Sequence, residues 1–148
     1  MSLEDLIPPQ CKEGDILKYR GRRVGLFACY LEIVGLLEEC EKVGVQFEVD
    51  IALGLYSKMR HPKGCNWWEY YFEPIKASSS GECHNFNRQN CVFALHACYR
   101  MEFERRKEII RQHIKLLPEV QKVVDDFQTN PKIKLFIGTL LYWICAGF

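Results

Sequence analysis

Val45-Gln46-Phe47-Glu48-Val49-Asp50-Ile51 alternates apolar and polar residues along its whole length. Val45, Phe47, Val49 and Ile51 face one side of an extended chain. Gln46, Glu48 and Asp50 face the other, which is the period-two pattern of a strand with one buried face. Just upstream, Tyr30, Ile33, Val34, Leu37 and Cys40 recur at helical spacing, and Gly44 follows as a C-terminal stop. Before that helix, Arg22-Arg23-Val24-Gly25-Leu26-Phe27-Ala28 reads as a first strand entered from a turn at Gly21. Strand, helix and strand joined by short connections make a βαβ unit, which links parallel neighbours. The expected fold is therefore α/β, a Rossmann-like parallel sheet flanked by helices. Asp50 falls near the carboxyl end of the second strand, where open α/β sheets place ligand groups. It reads more simply as a solvent-facing acid. No Gly-x-Gly-x-x-Gly follows the expected first strand, so a dinucleotide loop is not supported.

Working outward, residues 1–21 show no period, and Pro8-Pro9 breaks any early helix, so this stretch reads as an N-terminal arm. Downstream, Ser78-Ser79-Ser80-Gly81 is a short surface loop and not a domain boundary. Residues 91–128 look helical, with Ile110, Ile114, Leu117, Val120, Val124 and Phe127 at steps of three or four. Pro118 splits this stretch. One helix should finish near Lys115 or Leu116 and the next should begin at Pro118, the preferred first helical position. Lys132-Ile133-Lys134-Leu135-Phe136-Ile137-Gly138 reads as a further strand, and residues 139–148 as an apolar tail. The apolar run from Leu135 to Phe148 would make a helix of about 21 Å, short of the roughly 30 Å hydrocarbon core of a bilayer. A buried strand or helix fits it better than membrane contact.

The chain has 148 residues, enough for one domain with a real core. A formal net charge of +1 gives no field that would draw nucleic acid or an anionic membrane. The amino terminus, Met1-Ser2-Leu3-Glu4-Asp5, lacks a signal-peptide apolar region, so the expected location is cytoplasmic. Eight cysteines are present, and Cys29, Cys40, Cys91, Cys98 and Cys145 lie within apolar patterns. They read as reduced, buried thiols. Cys83-His84, Cys91, His96 and Cys98 are close in sequence, but no Cys-x-x-Cys pair exists and no metal site is expected. Cys65 with His61 nearby reads as a bystander and not a nucleophile pair.

The densest chemistry lies in Cys65-Asn66-Trp67-Trp68-Glu69-Tyr70-Tyr71-Phe72-Glu73-Pro74-Ile75, with five aromatic residues and two carboxylates. Rings stack on the apolar faces of sugars while amides and carboxylates take the hydroxyls. Asn66, Trp67, Glu69, Tyr70 and Glu73 are thus the candidate substrate-binding residues. On a helix ended by Pro74, Glu69 and Glu73 would share a face. The alternative is a short helix whose rings plug the core.

Several stretches together carry a resemblance to a family. They are Gly25-Leu26-Phe27, Leu36-Leu37-Glu38-Glu39-Cys40-Glu41-Lys42, the strand at 45–51, Gly54-Leu55-Tyr56 and Asn66-Trp67-Trp68-Glu69-Tyr70-Tyr71-Phe72-Glu73-Pro74-Ile75. They resemble the N-terminal half of fucosyltransferase-like glycosyltransferases, over roughly residues 22–138. The Trp-Glu-Tyr-Tyr-Phe-Glu-Pro core is the most specific part. The resemblance implies one lobe of a GT-B architecture, spanning 22–138, that transfers a sugar without a metal from a nucleotide donor such as GDP-fucose. A glycan acceptor and a nucleotide sugar are the implied ligands, with no bound cofactor. Two departures stand out. Tyr30-Leu31-Glu32 occupies the place of the family's Asn-Gln pair, and Thr139-Leu140-Leu141-Tyr142 follows Gly138 where the family continues into a His-x-Arg donor signature. The expectation is therefore a lobe truncated before the nucleotide-sugar motif, with little transferase activity on its own. The alternative is a non-catalytic interaction protein that uses the diverged lobe to bind a partner or itself.

Overall fold

The computed structural model describes residues 6–22, 24–51, 66–78 and 80–129. The expected strand at 132–138, the tail, and the residues His61, Cys65 and Cys145 lie outside the described residues. Three short strands, β1 (Ile16–Tyr19), β2 (Gln46–Val49) and β3 (Cys83–Asn85), form a parallel sheet in the order β2-β1-β3. Leu17 pairs with Phe47 and Tyr19 with Val49, while Ile16 pairs with Cys83 and Lys18 with Asn85. The long helix α1 (Leu26–Val43) makes the crossover from β1 to β2. The βαβ unit of a mixed α/β fold is therefore present.

The first strand is not where the sequence suggested. Residues 16–19, expected within a surface arm, supply the central strand, and in the expected strand at 22–28 Val24 is instead a bend and residues 26–28 are the start of α1. Gly21 turns the chain with φ +72°, a conformation costly for other residues. Gly25 then caps the helix in an extended conformation. Helical spacing lets Phe27 stack on Tyr30, with ring centroids 6.2 Å apart. Ile16, Leu17 and Tyr19 are buried, and Lys18 reaches the other face of the sheet to pair with Glu48 at 2.8 Å.

The far end of α1 follows the expected stop. Gly44 adopts φ +70°, its N–H donates to the Glu41 carbonyl, and the Val45 N–H donates to the Cys40 carbonyl. These are the two bonds of a Schellman closure. Every residue from Leu31 to Leu37 is buried, because α1 touches β2, α2 (Cys91–Arg100) and α3 (Phe103–His113). A helix covered on several sides needs apolar residues around its whole circumference. Gly35 meets α2 so closely that a Cβ there would lie 2.1 Å from the Ala94 carbonyl oxygen.

The helical stretch at 91–129 divides twice. α3 ends at His113 and α4 (Pro118–Thr129) begins at the proline, close to the expected split. A second break, at Met101–Glu102, has neither proline nor glycine. There the Arg106 guanidinium donates to the Tyr99 and Met101 carbonyls and closes α2. Cys29, Cys40, Cys91 and Cys98 are buried free thiols, as their apolar settings suggested. No helix among the described residues is long and apolar enough to cross a membrane.

Candidate functional site: an aromatic groove beside α1

Asn66 occupies the centre of the aromatic stretch. Its Oδ1 accepts from the backbone N–H of Ile51 at 3.0 Å and of Trp68 at 3.2 Å. Its Nδ2 donates to the Val49 carbonyl at 3.0 Å and to Glu69 Oε1 at 3.1 Å. A short amide side chain supplies two N–H donors and a carbonyl that accepts twice, which matches the four bonds made here. Asn66 thereby ties the aromatic turn (Trp67–Tyr70) to the carboxyl end of β2. Its hydrogen bonds hold the local structure together.

The helix expected to run to Pro74 is a single 3₁₀ turn that stops at Tyr70. Trp68 causes this. It is fully buried, it stacks on Phe72 with centroids 4.2 Å apart, and its indole N–H donates to the Glu73 carbonyl at 3.0 Å. Satisfying that buried N–H folds the chain back on itself. Residues Tyr71 and Glu73 then pair with the α3–α4 connection. The Glu73 N–H donates to the Lys115 carbonyl, the Leu117 N–H donates to the Tyr71 carbonyl, and Phe72 bridges Leu116. Glu69 and Glu73 consequently do not share a helical face, contrary to the expectation for an acid pair. Glu69 lies 3.7 Å from Lys76 and bonds Asn66. Trp67 and Tyr70 stack on each other at 4.8 Å and are half-buried.

Glu73 lines a groove of about 820 Å³ whose other walls come from α1, Phe72, the end of α3 and the start of α4. Leu26, Phe27 and Tyr30 line it from α1, and Ile110, Ile114 and Leu116 from α3 and the connection that follows. Among the described residues, Glu73, Lys115 and Gln121 are polar lining residues. Of the five sequence candidates, Glu73 alone belongs to this groove. The first turn of α1 follows the carboxyl end of β1, and Asn66 hangs the aromatic turn on the carboxyl end of β2. The groove thus lies on the side where open α/β sheets bind ligands. Its volume is within the roughly 300–1,000 Å³ usual for small-molecule sites. Phe27, 44% exposed, presents a ring to it.

A second constellation was missed in the sequence. Glu32 is fully buried on α1 and accepts from the Tyr19 hydroxyl at 2.6 Å and from Arg22 through Nε at 2.7 Å and through a terminal nitrogen. Burial, then the nearby Cys29 thiol and Glu32 carboxylate, push the Tyr19 hydroxyl far above its usual range. Burial, then Glu32, push the Cys91 thiol up to about 12. Arg22 is pushed up by its hydrogen bond to Glu32. At neutral pH Tyr19 and Cys91 keep their protons and Arg22 its charge. The cluster is a clamp on the β1–α1 loop and holds no activated nucleophile. Its one visible signal was a lone acid inside the apolar run Leu31-Glu32-Ile33-Val34.

Asp50 pairs with Lys18 at 3.5 Å and Arg20 at 3.8 Å, as a surface acid does. The Cys83–Cys98 region is dispersed, with Cys83 and His84 on β3, Cys91 and Cys98 buried on α2, and His96 exposed. Among the described residues no three side chains are grouped to hold a metal ion. No protein-family model matches the chain, and comparison with curated proteins and with solved structures finds no match.

Proposed function

We propose that this chain is a glycosyltransferase-like lobe of the GT-B kind, the half that seats the acceptor when a sugar is moved from a nucleotide donor such as GDP-fucose. The observation that carries this reading is the aromatic groove with Glu73 on its rim, on the carboxyl-edge side of a parallel sheet. Aromatic rings offer stacking surface for a sugar, and a carboxylate at the rim can accept a hydrogen bond from an acceptor hydroxyl. The Trp-Glu-Tyr-Tyr-Phe-Glu-Pro core serves the same end indirectly. Its buried Trp68 fixes the Glu73 backbone, and Phe72 forms part of the wall.

Calorimetric titration of free oligosaccharides, GDP and GDP-fucose into the wild type and a Glu73→Ala variant tests the proposal. Saturable sugar binding that weakens about tenfold or more in the variant is expected, the loss that goes with one charge-assisted hydrogen bond. Folded protein that binds no sugar at millimolar concentration refutes it.

A specific observation favours the second reading, a non-catalytic interaction protein. Val92 and Tyr99, seven residues apart on one face of α2, are large and exposed, as is Phe103 just beyond. Exposed apolar groups grouped in this way mark contact surfaces. Self-association that Val92→Ser with Tyr99→Ser abolishes, in a protein that binds no sugar, selects this reading.

A further inference from the structure

The groove is mismatched to a ligand that is polar all round. Phe27, Tyr30, Phe72, Ile110 and Ile114 offer no hydrogen-bonding group, apart from the Tyr30 hydroxyl. Sugar hydroxyls laid along such walls lose water and gain no partner, which opposes binding. Among the described residues the polar lining side chains are few, and two of them are neighbours. The Glu73 N–H bonds the Lys115 carbonyl, which sets these two residues side by side. Gln121 follows within the first turn of α4, its N–H bonded to the Leu117 carbonyl. The Gln121 side-chain amide donates to Asp125 at 2.7 Å, which leaves its oxygen as the acceptor. Among the described residues the groove thus offers a carboxylate, an ammonium, an amide oxygen and the Tyr30 hydroxyl, set in a lining that is otherwise hydrocarbon.

From this polarity we propose that the acceptor is amphipathic, a glycoside whose apolar aglycone lies between α1 and the end of α3 and whose sugar meets Glu73, Lys115 and Gln121. This rests on the reading of the chain as an acceptor-binding lobe. Two features of the groove make an alkyl or aryl group the better partner for its length. The exposed Phe27 ring already stacks on Tyr30 and needs only one further apolar layer. The volume of about 820 Å³ also exceeds the needs of a single sugar ring.

The test compares methyl and octyl β-glycosides of glucose, galactose and N-acetylglucosamine, with 1-octanol as the apolar control. Binding is followed by NMR shift changes below the micellar concentration. At least one octyl glycoside should bind about tenfold or more tightly than its methyl counterpart and than octanol, since each buried methylene multiplies affinity roughly fourfold when fully covered. Phe27→Ala should remove most of the alkyl gain, so that the ratio of octyl to methyl glycoside affinity falls towards one. Because Phe27 is largely exposed, that variant should fold, and circular dichroism checks it. Equal binding of methyl and octyl glycosides overturns the amphipathic acceptor and leaves the glycosyltransferase-like reading standing. Octanol binding as tightly as every octyl glycoside refutes both at this groove, as does no shift with any probe. A dimer that Phe27→Ala dissolves, with no glycoside bound, assigns the groove to a second copy and likewise overturns the proposal.

Discussion

Replacing Gly35 with alanine should destabilise the protein, although alanine is the better helix former. The substitution relieves the entropic handicap of glycine in a helix interior by about 1 kcal/mol. Against this, the new Cβ would lie 2.1 Å from the Ala94 carbonyl oxygen and 3.0 Å from the Cys98 nitrogen. Both obstacles are backbone atoms of α2, so no side chain can rotate out of the way. Reaching ordinary van der Waals contact, about 3.5 Å, requires α1 and α2 to part by more than about 1.3 Å, which also loosens neighbouring contacts packed at interior density. Overpacking of this kind costs about 3 kcal/mol at the upper end of its common range, leaving a net loss of about 2 kcal/mol. For a chain of this size that lowers the melting temperature by about 4–8 °C. Urea unfolding should show a lower midpoint with an unchanged slope, since the surface exposed on unfolding is the same. Gly25→Ala is the control. Its Cβ would meet open space and its backbone is not left-handed, so it should lose only the preference of an N-cap for glycine over alanine, about 1 kcal/mol or less. Wild-type or higher stability for Gly35→Ala would refute the close approach of the two helices.

Arg22→Ala should cost about 3 kcal/mol by leaving the Glu32 carboxylate buried without its cation, and adding Glu32→Gln should recover part of the loss, as a urea-based double-mutant cycle would show. Burial pushes the Glu41 carboxyl up, but hydrogen bonds from His113 and Arg105 outweigh it and hold the group below its ordinary value of 4.5. With the folded value depressed, the stabilisation is present above 4.5 and is lost as pH falls through the folded value. Urea midpoints measured between neutral and acid pH should therefore fall less steeply in Glu41→Gln. Among the described cysteines, the exposed Cys83 should alkylate first at pH 8, while Cys91, with its thiol pushed up to about 12, should resist labelling until the protein unfolds. Peptide mass spectrometry resolves the order.

β2, the stop of α1 at Gly44 and the start of α4 at Pro118 were legible because each is written locally, as an alternation, a left-handed glycine or a proline. β1 was not, because four residues between Asp15 and Arg20 carry too little pattern to outweigh the flanking charges and prolines. The break between α2 and α3 was equally hidden, because a guanidinium from the next helix makes it. Of the five residues singled out in the aromatic stretch, Glu73 alone lines the groove. Asn66 is spent on backbone groups, Trp67 and Tyr70 stack on each other, and Glu69 bonds its neighbour Asn66. Glu73 reached the groove through the Trp68 indole, a long-range consequence of burial. The other walls come from α1, α3 and α4, whose approach no local pattern encodes.

The pairing of residues 71–73 with 115–117 also bears on the order in which the molecule assembles. The β1–α1–β2 unit closes within 34 residues, whereas Phe72 meets Leu116 across 44, through a single bridge and two backbone hydrogen bonds. Loop closure is more costly for the longer span, and few contacts repay it there. The groove seam should therefore form after the β1–α1–β2 unit and open before it. In native-state hydrogen exchange, the amides of Glu73 and Leu117 should be released by local opening well before those of Ile33 to Leu37. A ligand seated in the groove would slow those two amides most, so that binding reads out as delayed exchange at a seam that neither α1 nor the sheet reports.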